Sequence, residues 1–391
     1  MTWQKTTIGA LGQIITGKTP STQKHEFWQG DYPFITPKDI QNSKHIFSTR
    51  RSLSELGAQQ TKRVLLPPNS ICVSCIGNLG YAAMTTTPSI TNQQINSIIP
   101  SPQNNPSFIY YLLKNMWADF KNLEGQSTTI SILNKTLFSK IEIQIPNKET
   151  QERIAALLSS FDNKIENNNA INKNLEAQIR ILYKNWFIDF EPFQKEKFVH
   201  TESGKIPQNW KFGTLQDLLE IRYGKSHQAL ADGTIPAYGS GGIIRSVEKP
   251  LYSKEAVLIP RKGTLNNVVY KNTPFWCTDT MFYSIEKTPN AAKYAYIILK
   301  TMDLVSLNNG SVVPSLTVDV LKDIRIIIPP ASVLKKFNAI CKTLFQQINY
   351  YDQESEHLAN IRDTLLPQVM SNKIKIPHTQ PPSKQKPAKR K

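Results

Sequence analysis

The chain is written twice. An apolar run closed by proline, Ile141, Ile143, Ile145 and Pro146, returns 183 residues later as Ile324, Ile326, Ile328 and Pro329. The same displacement continues without a gap, setting Ile154 on Phe337, Phe161 on Leu344, Ile165 on Ile348, Leu175 on Leu358 and Leu182 on Leu365. Nearer the front of each half, Trp3, Gly17 and Lys18 fall on Trp210, Gly224 and Lys225 at a displacement of 207. Gly77 and Thr87-Pro88 fall on Gly263 and Thr273-Pro274 at 186. Repetition on this scale predicts two similar halves, each a globular segment followed by a long helix, related by a pseudo-twofold axis. Such a molecule can hold two separate sites at a fixed distance.

Residues 1–146 form the first segment. Short β-type runs at Tyr32–Ile35, Val64–Leu66, Ile71–Ile76, Ile95–Ile99 and Ile141–Ile145 alternate with turns rich in Gly, Pro, Asn and Thr, which predicts strands. Ser107–Leu123 predicts a helix with Phe108, Tyr111, Leu112 and Trp117 on its apolar face. Residues 147–192 predict the first long helix. Its seam of Ile154, Leu158, Phe161, Ile165, Asn168, Asn172, Leu175, Ile179, Leu182 and Trp186 alternates four and three, the spacing of a coiled coil. Asn168 and Asn172 interrupt the seam, either fixing register or marking a wet section.

After a linker at Phe190–Gly204, residues 205–329 repeat the first segment more loosely. Residues 330–372 repeat the helix, with a seam of Leu334, Phe337, Cys341, Leu344, Ile348, Tyr351, Ser355, Leu358, Arg362, Leu365 and Val369. Each helix spans about 40 residues, roughly 60 Å. The simplest way to bury both seams is to pack them on each other, and the repeat relation then requires an antiparallel pair. The expected fold is therefore α+β, with two pseudo-repeated mixed α/β domains separated by an antiparallel two-helix coiled coil. The tail at 373–391 is basic and proline-rich and is expected to be disordered.

The net charge is +17, from 47 Lys+Arg against 30 Asp+Glu. A charge of this size attracts polyanions, with nucleic acid the usual partner and an acidic membrane surface the alternative. No apolar run approaches the roughly 20 residues of a membrane span, and the N-terminal MTWQKTTIG has no apolar signal-peptide core. A cytoplasmic protein is expected.

Nothing in the sequence assembles an active site. There is no GxGxxG or GxxxxGK[ST] loop and no HExxH. Cys72 and Cys75 make one C-x-x-C inside a strand-like run, without the second ligand pair that zinc needs. Asp189-Phe190-Glu191-Pro192-Phe193 faintly resembles a methyltransferase D-P-P-F loop. It lacks the doubled proline and falls at a helix exit, so it is read as structural.

The polar loops suit nucleic acid. Thr16, Gly17, Lys18, Thr19 and Lys24 offer hydroxyls, backbone N–H groups and cations to phosphate oxygens, and Lys38 and Asn78 lie in loops of similar type. Asn92, Gln93 and Gln94 carry amides of the kind that read adenine edges. In the second half the parallels are Tyr223, Lys225, Ser226, Tyr238, Ser240, Arg261, Lys262 and Thr264, with Arg261 able to pair a guanine. Each glycine in these loops either serves the ligand or supplies a positive-φ turn.

Several stretches carry a family resemblance: Ile14-Ile15-Thr16-Gly17-Lys18-Thr19-Pro20, Gly30–Asp39, Leu182–Phe193, Ile206-Pro207-Gln208-Asn209-Trp210 and Arg362-Asp363-Thr364-Leu365-Leu366-Pro367. On these, nearly the whole chain resembles the specificity subunit of a type I restriction–modification system. The resemblance implies two target recognition domains, each reading half of a split site in double-stranded DNA. The helices would act as spacer and dock two methyltransferase subunits, through Ile154, Leu158, Phe161, Ile165, Leu175, Leu182, Trp186, Phe337, Leu344, Ile348, Leu358 and Leu365. Restriction subunits would complete the complex. It also implies that S-adenosylmethionine, ATP and Mg²⁺ belong to those partners, with no cofactor in this chain. The competing readings are a protein–protein scaffold with incidental basic charge and a single-chain enzyme.

Overall fold

The computed structural model describes residues 3–40, 43–76, 79–116, 120, 133–201, 204–308 and 313–376. Contacts divide the chain into unit 1, residues 1–169 with 352–391, and unit 2, residues 170–351. Each unit thus contains one globular segment and part of each long helix. Those helices run Lys148–Phe187 and Ala331–Met370.

In unit 1 a five-stranded sheet has the order Gly12–Thr16, Ile95–Pro100, Ile71–Ser74, Ala82–Thr85, His45–Ile46. Beside it lies a three-stranded sheet of Arg51–Leu53, Trp28–Ile35 and Ile90–Thr91. The helix Pro106–Asn115 starts where Asn105 accepts a hydrogen bond from the Phe108 N–H and proline takes the first helical position, both favoured start signals. Phe108, Tyr111 and Leu112 are buried in the main core, joined by Ile154, Ala155 and Leu158 of the first long helix and Leu366, Val369 and Met370 of the second. Asp162 meets Arg362, while Lys164 and Asn168 meet Glu354. Positions rise along one helix as they fall along the other, so this pairing is antiparallel.

Unit 2 repeats the plan. Its four-stranded sheet runs Leu219–Tyr223, Met281–Glu286, Ala256–Pro260, Val269–Lys271, and its three-stranded sheet Gly242–Val247, Asp232–Gly239, Trp276–Cys277. The helix Ala292–Thr301 takes the place of Pro106–Asn115. Ile179 and Phe187 join Leu334, Phe337 and Cys341 in its core. The α+β architecture with repeated mixed segments stands.

Polar networks weld the helices to the segments. In unit 1 the buried Asp162 accepts from Tyr111 Oη at 2.5 Å and from Arg362, Lys44 Nζ donates to Ser159 Oγ at 2.7 Å, and His45 Nδ1 lies 2.9 Å from Glu166. In unit 2 the buried Lys293 donates to Glu255 at 2.7 Å and to Asn338 of the second long helix at 2.9 Å.

Several expectations need correction. Val64 ends a 3₁₀ turn, Lys62–Val64, and Leu66 makes only a single bridge to Ser89. Pro67 and Pro68 follow, with no N–H to extend a ladder. The predicted helix Ser107–Leu123 is described only to Asn115, and Trp117 lies outside the described residues. The first long helix stops at Phe187, with Phe190 left-handed at φ 53°. The linker is structured: Phe190 and Phe193 are buried with their rings 5.4 and 5.0 Å from Trp210, and Phe198–Thr201 pairs with Gly204–Pro207.

The seam is only partly closed. Ile154, Leu158, Leu175, Phe337 and Cys341 are buried, but Phe161, Ile165, Leu344, Ile348 and Leu358 are half-buried, because two helices leave one side of each open. Leu182, Trp186, Leu344 and Ile348 pack against the core of unit 2, and Leu365 against that of unit 1. Asn168 Nδ2 donates to Glu354 at 2.7 Å and Ser355 at 3.2 Å, and Asn172 Nδ2 to the Ile348 carbonyl at 3.3 Å.

Two outcomes are expected. Asp162→Ala leaves the Tyr111 hydroxyl and Nη1 of the half-buried Arg362 without their acceptor, while Asp363 still holds Nε and Nη2 of Arg362, so urea denaturation should show a loss of about 1–3 kcal/mol. All four cysteines are free and buried. Burial pushes Cys72 and Cys341 up to about 12 and Cys75 up to about 11. Alkylation at pH 8 should therefore require unfolding, and rapid labelling of the native protein would contradict the buried positions.

Candidate nucleic-acid interface

The predicted loops of each unit come together on a shared backbone frame. In unit 1, Gly17 N donates to the Ile95 carbonyl at 3.1 Å, Cys75 N to Gln94 at 2.8 Å, and Asn92 N to Ile35 at 3.0 Å. In unit 2, Gly224 N donates to Met281 at 3.1 Å, Arg261 N to Thr280 at 2.9 Å, and Thr278 N to Tyr238 at 2.9 Å. The same three junctions recur, with five of the six positions at displacements of 207 or 186 and Ile35 on Tyr238 at 203.

Gly17 and Gly224 are glycine for closeness rather than for positive φ. A Cβ on Gly17 would stand 2.2 Å from the Asn92 carbonyl oxygen, and one on Gly224 would stand 2.0 Å from that of Thr278. Gly242, at φ 125°, and Gly263, at φ 88°, take positive-φ turns of the kind anticipated.

On this frame unit 1 places Thr19 Oγ1 against Gln93 Oε1 at 2.6 Å, with Asn92 Nδ2 donating to Gln94 Oε1 at 2.9 Å. Gln93 and Lys18 are exposed. Thr16 is turned inward, its hydroxyl 2.6 Å from Asn96 Oδ1. Lys38 sits exposed on the 3₁₀ turn Pro37–Asp39, held by a Thr36/Asp39 capping box. Lys24 rests over Phe27 at 5.2 Å. Asn78 lies outside the described residues.

In unit 2, Tyr223 is exposed with the Arg261 guanidinium 5.2 Å from its ring. Lys225 N donates to Cys277 O at 2.8 Å, and its own carbonyl accepts from Trp276 Nε1 at 2.9 Å. Ser226 is exposed beside it. Lys262 N also donates to Thr280, Asn267 N donates to Thr264 O, and Asn267 Nδ2 donates to Ser240 O at 2.9 Å. Tyr238 is a correction: it is 7% exposed inside a core cluster with Leu258, Phe275 and Cys277, so its ring has no free face for a ligand.

The cations here lack acidic partners, although Arg261 Nη1 donates to the Asp279 carbonyl at 3.1 Å. Among the described residues, no carboxylate lies within ion-pair distance of Lys18, Lys24, Lys38, Lys225, Arg261 or Lys262. Basic groups left unpaired around exposed amides and hydroxyls suit a phosphate backbone with base edges beside it. No cluster of His, Cys, Asp or Glu able to hold a metal occurs among the described residues, and none of their helices is long and apolar enough to cross a membrane. Sequence reasoning missed His25, Trp28, Arg50 and Arg51, which line an open cleft of about 340 Å³. The paired Arg50-Arg51 at the start of a strand was the available signal.

The family model described as the type I restriction modification DNA specificity domain matches residues 1–177 and 207–359, once for each repeat. The chain belongs to that family. It is 30% identical over 406 residues to the MjaIX type I restriction enzyme specificity subunit of Methanocaldococcus jannaschii, covering 96% of this chain and 94% of the relative. Over 172 residues it is 42% identical to the HindI specificity subunit of Haemophilus influenzae, covering 42% and 38% of the two chains. The crystal structure of a type I S subunit from M. genitalium has the same fold, with a TM-score of 0.57 at 20% identity over 97% of each chain. As a member, this chain is a DNA-recognition subunit with two target recognition domains and is not itself an enzyme.

Alanine at either close-approach glycine must push a loop off its frame. Gly17→Ala and Gly224→Ala are each expected to cost about 1–3 kcal/mol in chemical denaturation; unchanged midpoints would remove the steric account.

Proposed function

We propose that this chain reads a bipartite, asymmetric site in double-stranded DNA. Residues 1–146 would read one half and residues 205–329 the other, and the two long helices would set the gap. One observation carries this reading: the two repeats share a backbone frame and differ in the side chains mounted on it. Both keep a lysine after the close-approach glycine, Lys18 and Lys225, but unit 1 adds Thr19 and an Asn-Gln-Gln run, whereas unit 2 adds Tyr223 and Arg261. Different readers on one scaffold select different sequences.

The half-buried apolar residues of the helices, Phe161, Ile165, Leu344, Ile348 and Leu358, favour docking of other chains. We assign that role to two DNA methyltransferase subunits, with restriction subunits completing the assembly in the cytoplasm. S-adenosylmethionine, ATP and Mg²⁺ would then act on those partners.

Methylome sequencing of cells carrying this chain and its methyltransferase should return a split motif with a fixed gap. Exchanging residues 1–146 for the equivalent domain of a relative should change one half-motif, and change in both would contradict independent reading. Inserting one helical turn near Asn168 should lengthen the gap and leave both halves intact. Affinity should fall linearly on a log–log salt plot, as released counterions require. Sequence-independent binding by the assembled complex would defeat the proposal.

A further inference from the structure

The three-stranded sheet beside the loops holds an arginine whose counterpart in the other unit is used differently. In unit 1, Phe34 is register partner to Arg51 on one side and Ile90 on the other. In unit 2, Ala237 is register partner to Arg245 and to Trp276 in the same way. Arg51 and Arg245 therefore occupy one position of the repeated sheet.

Arg245 is committed inward. It is half-buried, donates from Nη2 to the Leu230 carbonyl, and has Nε 3.8 Å from Asp232. Arg51 is exposed, and among the described residues no carboxylate pairs with it. Its guanidinium carbon lies 3.6 Å from the centroid of the Trp28 ring.

Trp28 is itself fixed. Its Nε1 donates to the Ser21 carbonyl at 3.1 Å, and its ring meets Phe34 edge-on at 5.1 Å. The strand slips register between Trp28 and Tyr32, and Gln29 takes φ 65°. Bulges of this kind re-aim side chains next to functional sites. Thr22, His25, Arg50 and Ser52 line the same cleft.

A cation needed only to meet phosphate requires no such setting, because a lysine point charge serves. Stacking removes rotamer freedom before a ligand arrives and leaves the planar N–H fork to bond in its own plane. That fork matches the O6 and N7 of guanine in the major groove. Arg50, His25 and the two hydroxyls then suit the adjoining phosphates.

We infer that Arg51, preset by Trp28, reads a guanine in the half-site bound by unit 1, while Arg245 at the equivalent position is structural. The inference rests on the DNA-reading function proposed above.

The test selects bound duplexes from a randomised library, using the full chain assembled with the methyltransferase subunit of its own system. The wild-type motif should contain a required G·C pair in the unit 1 half. Arg51→Lys keeps the charge and loses the fork, so preference at that pair should fall roughly ten- to hundredfold. The remaining positions and the other half-motif should persist. Trp28→Leu, with an unchanged melting temperature, should weaken the same preference and no other. An intact motif in Arg51→Lys, or an equal loss across all sequences, would overturn the assignment and leave Arg51 a phosphate contact. Failure of the wild-type complex to select any motif would instead defeat the DNA-reading function, and with it this inference.

Discussion

The approach of one bare backbone to another underlies the interface in both units. Gly17 lies against Thr91 and Asn92, and Gly224 against Cys277 and Thr278, at distances that exclude even a methyl group. The adjacent hydrogen bonds, Gly17 to Ile95 and Gly224 to Met281, then anchor each loop to the start of a core strand. Because the anchor is made of main chain, it does not depend on the side chains carried beyond it. Thr19 can differ from Ser226, beyond the shared Lys18 and Lys225, without moving the frame. A recognition protein needs that separation, since a reader that had to repack its core for each new sequence could not diversify.

The same division runs through the rest of each unit. Both repeats keep the four strands that hold the loops in the same order, and unit 1 adds His45–Ile46 at one edge. Both fix a long helix to the segment through buried polar contacts, but with unrelated residues: Asp162 with Tyr111 and Arg362 in one, Lys293 with Glu255 and Asn338 in the other. A buried charge is tolerated only when its partners are in place, so each network ties its helix to one orientation on its segment. The scaffold repeats where backbone geometry decides, and diverges where side chains choose partners.

Much of this was legible in the chain, for an identifiable reason. The repeat displacements report main-chain equivalence, and the recurring junctions fall at those displacements except where Ile35 matches Tyr238. Helix seams were legible because burial imposes periodicity. Contacts between residues far apart were not. Asp162 sits one place from the expected seam position Phe161, and its partner Arg362 is 200 positions away; no local pattern announces that pair. Tyr238 was misplaced because an aromatic beside glycines resembles an exposed loop residue, whereas its ring closes a core cluster. Gly242 and Gly263 take the positive φ expected of them, but Gly17 and Gly224 do not, since close approach and positive φ leave the same letter in the sequence.

Arg51 marks the limit of reading by repeat. Its equivalence to Arg245 is visible only through strand register, because the chain between the paired strands differs in length in the two halves. The register gives both residues one place on one sheet, and the neighbours then set their uses. A fixed indole holds the first guanidinium over its ring in an open cleft, while a carbonyl and an aspartate draw the second into its own unit. The fold thus supplies a position, and the local partner decides whether the side chain there is available to a ligand. Asymmetry of reading needs no change of architecture, only a change in what an arginine finds beside it.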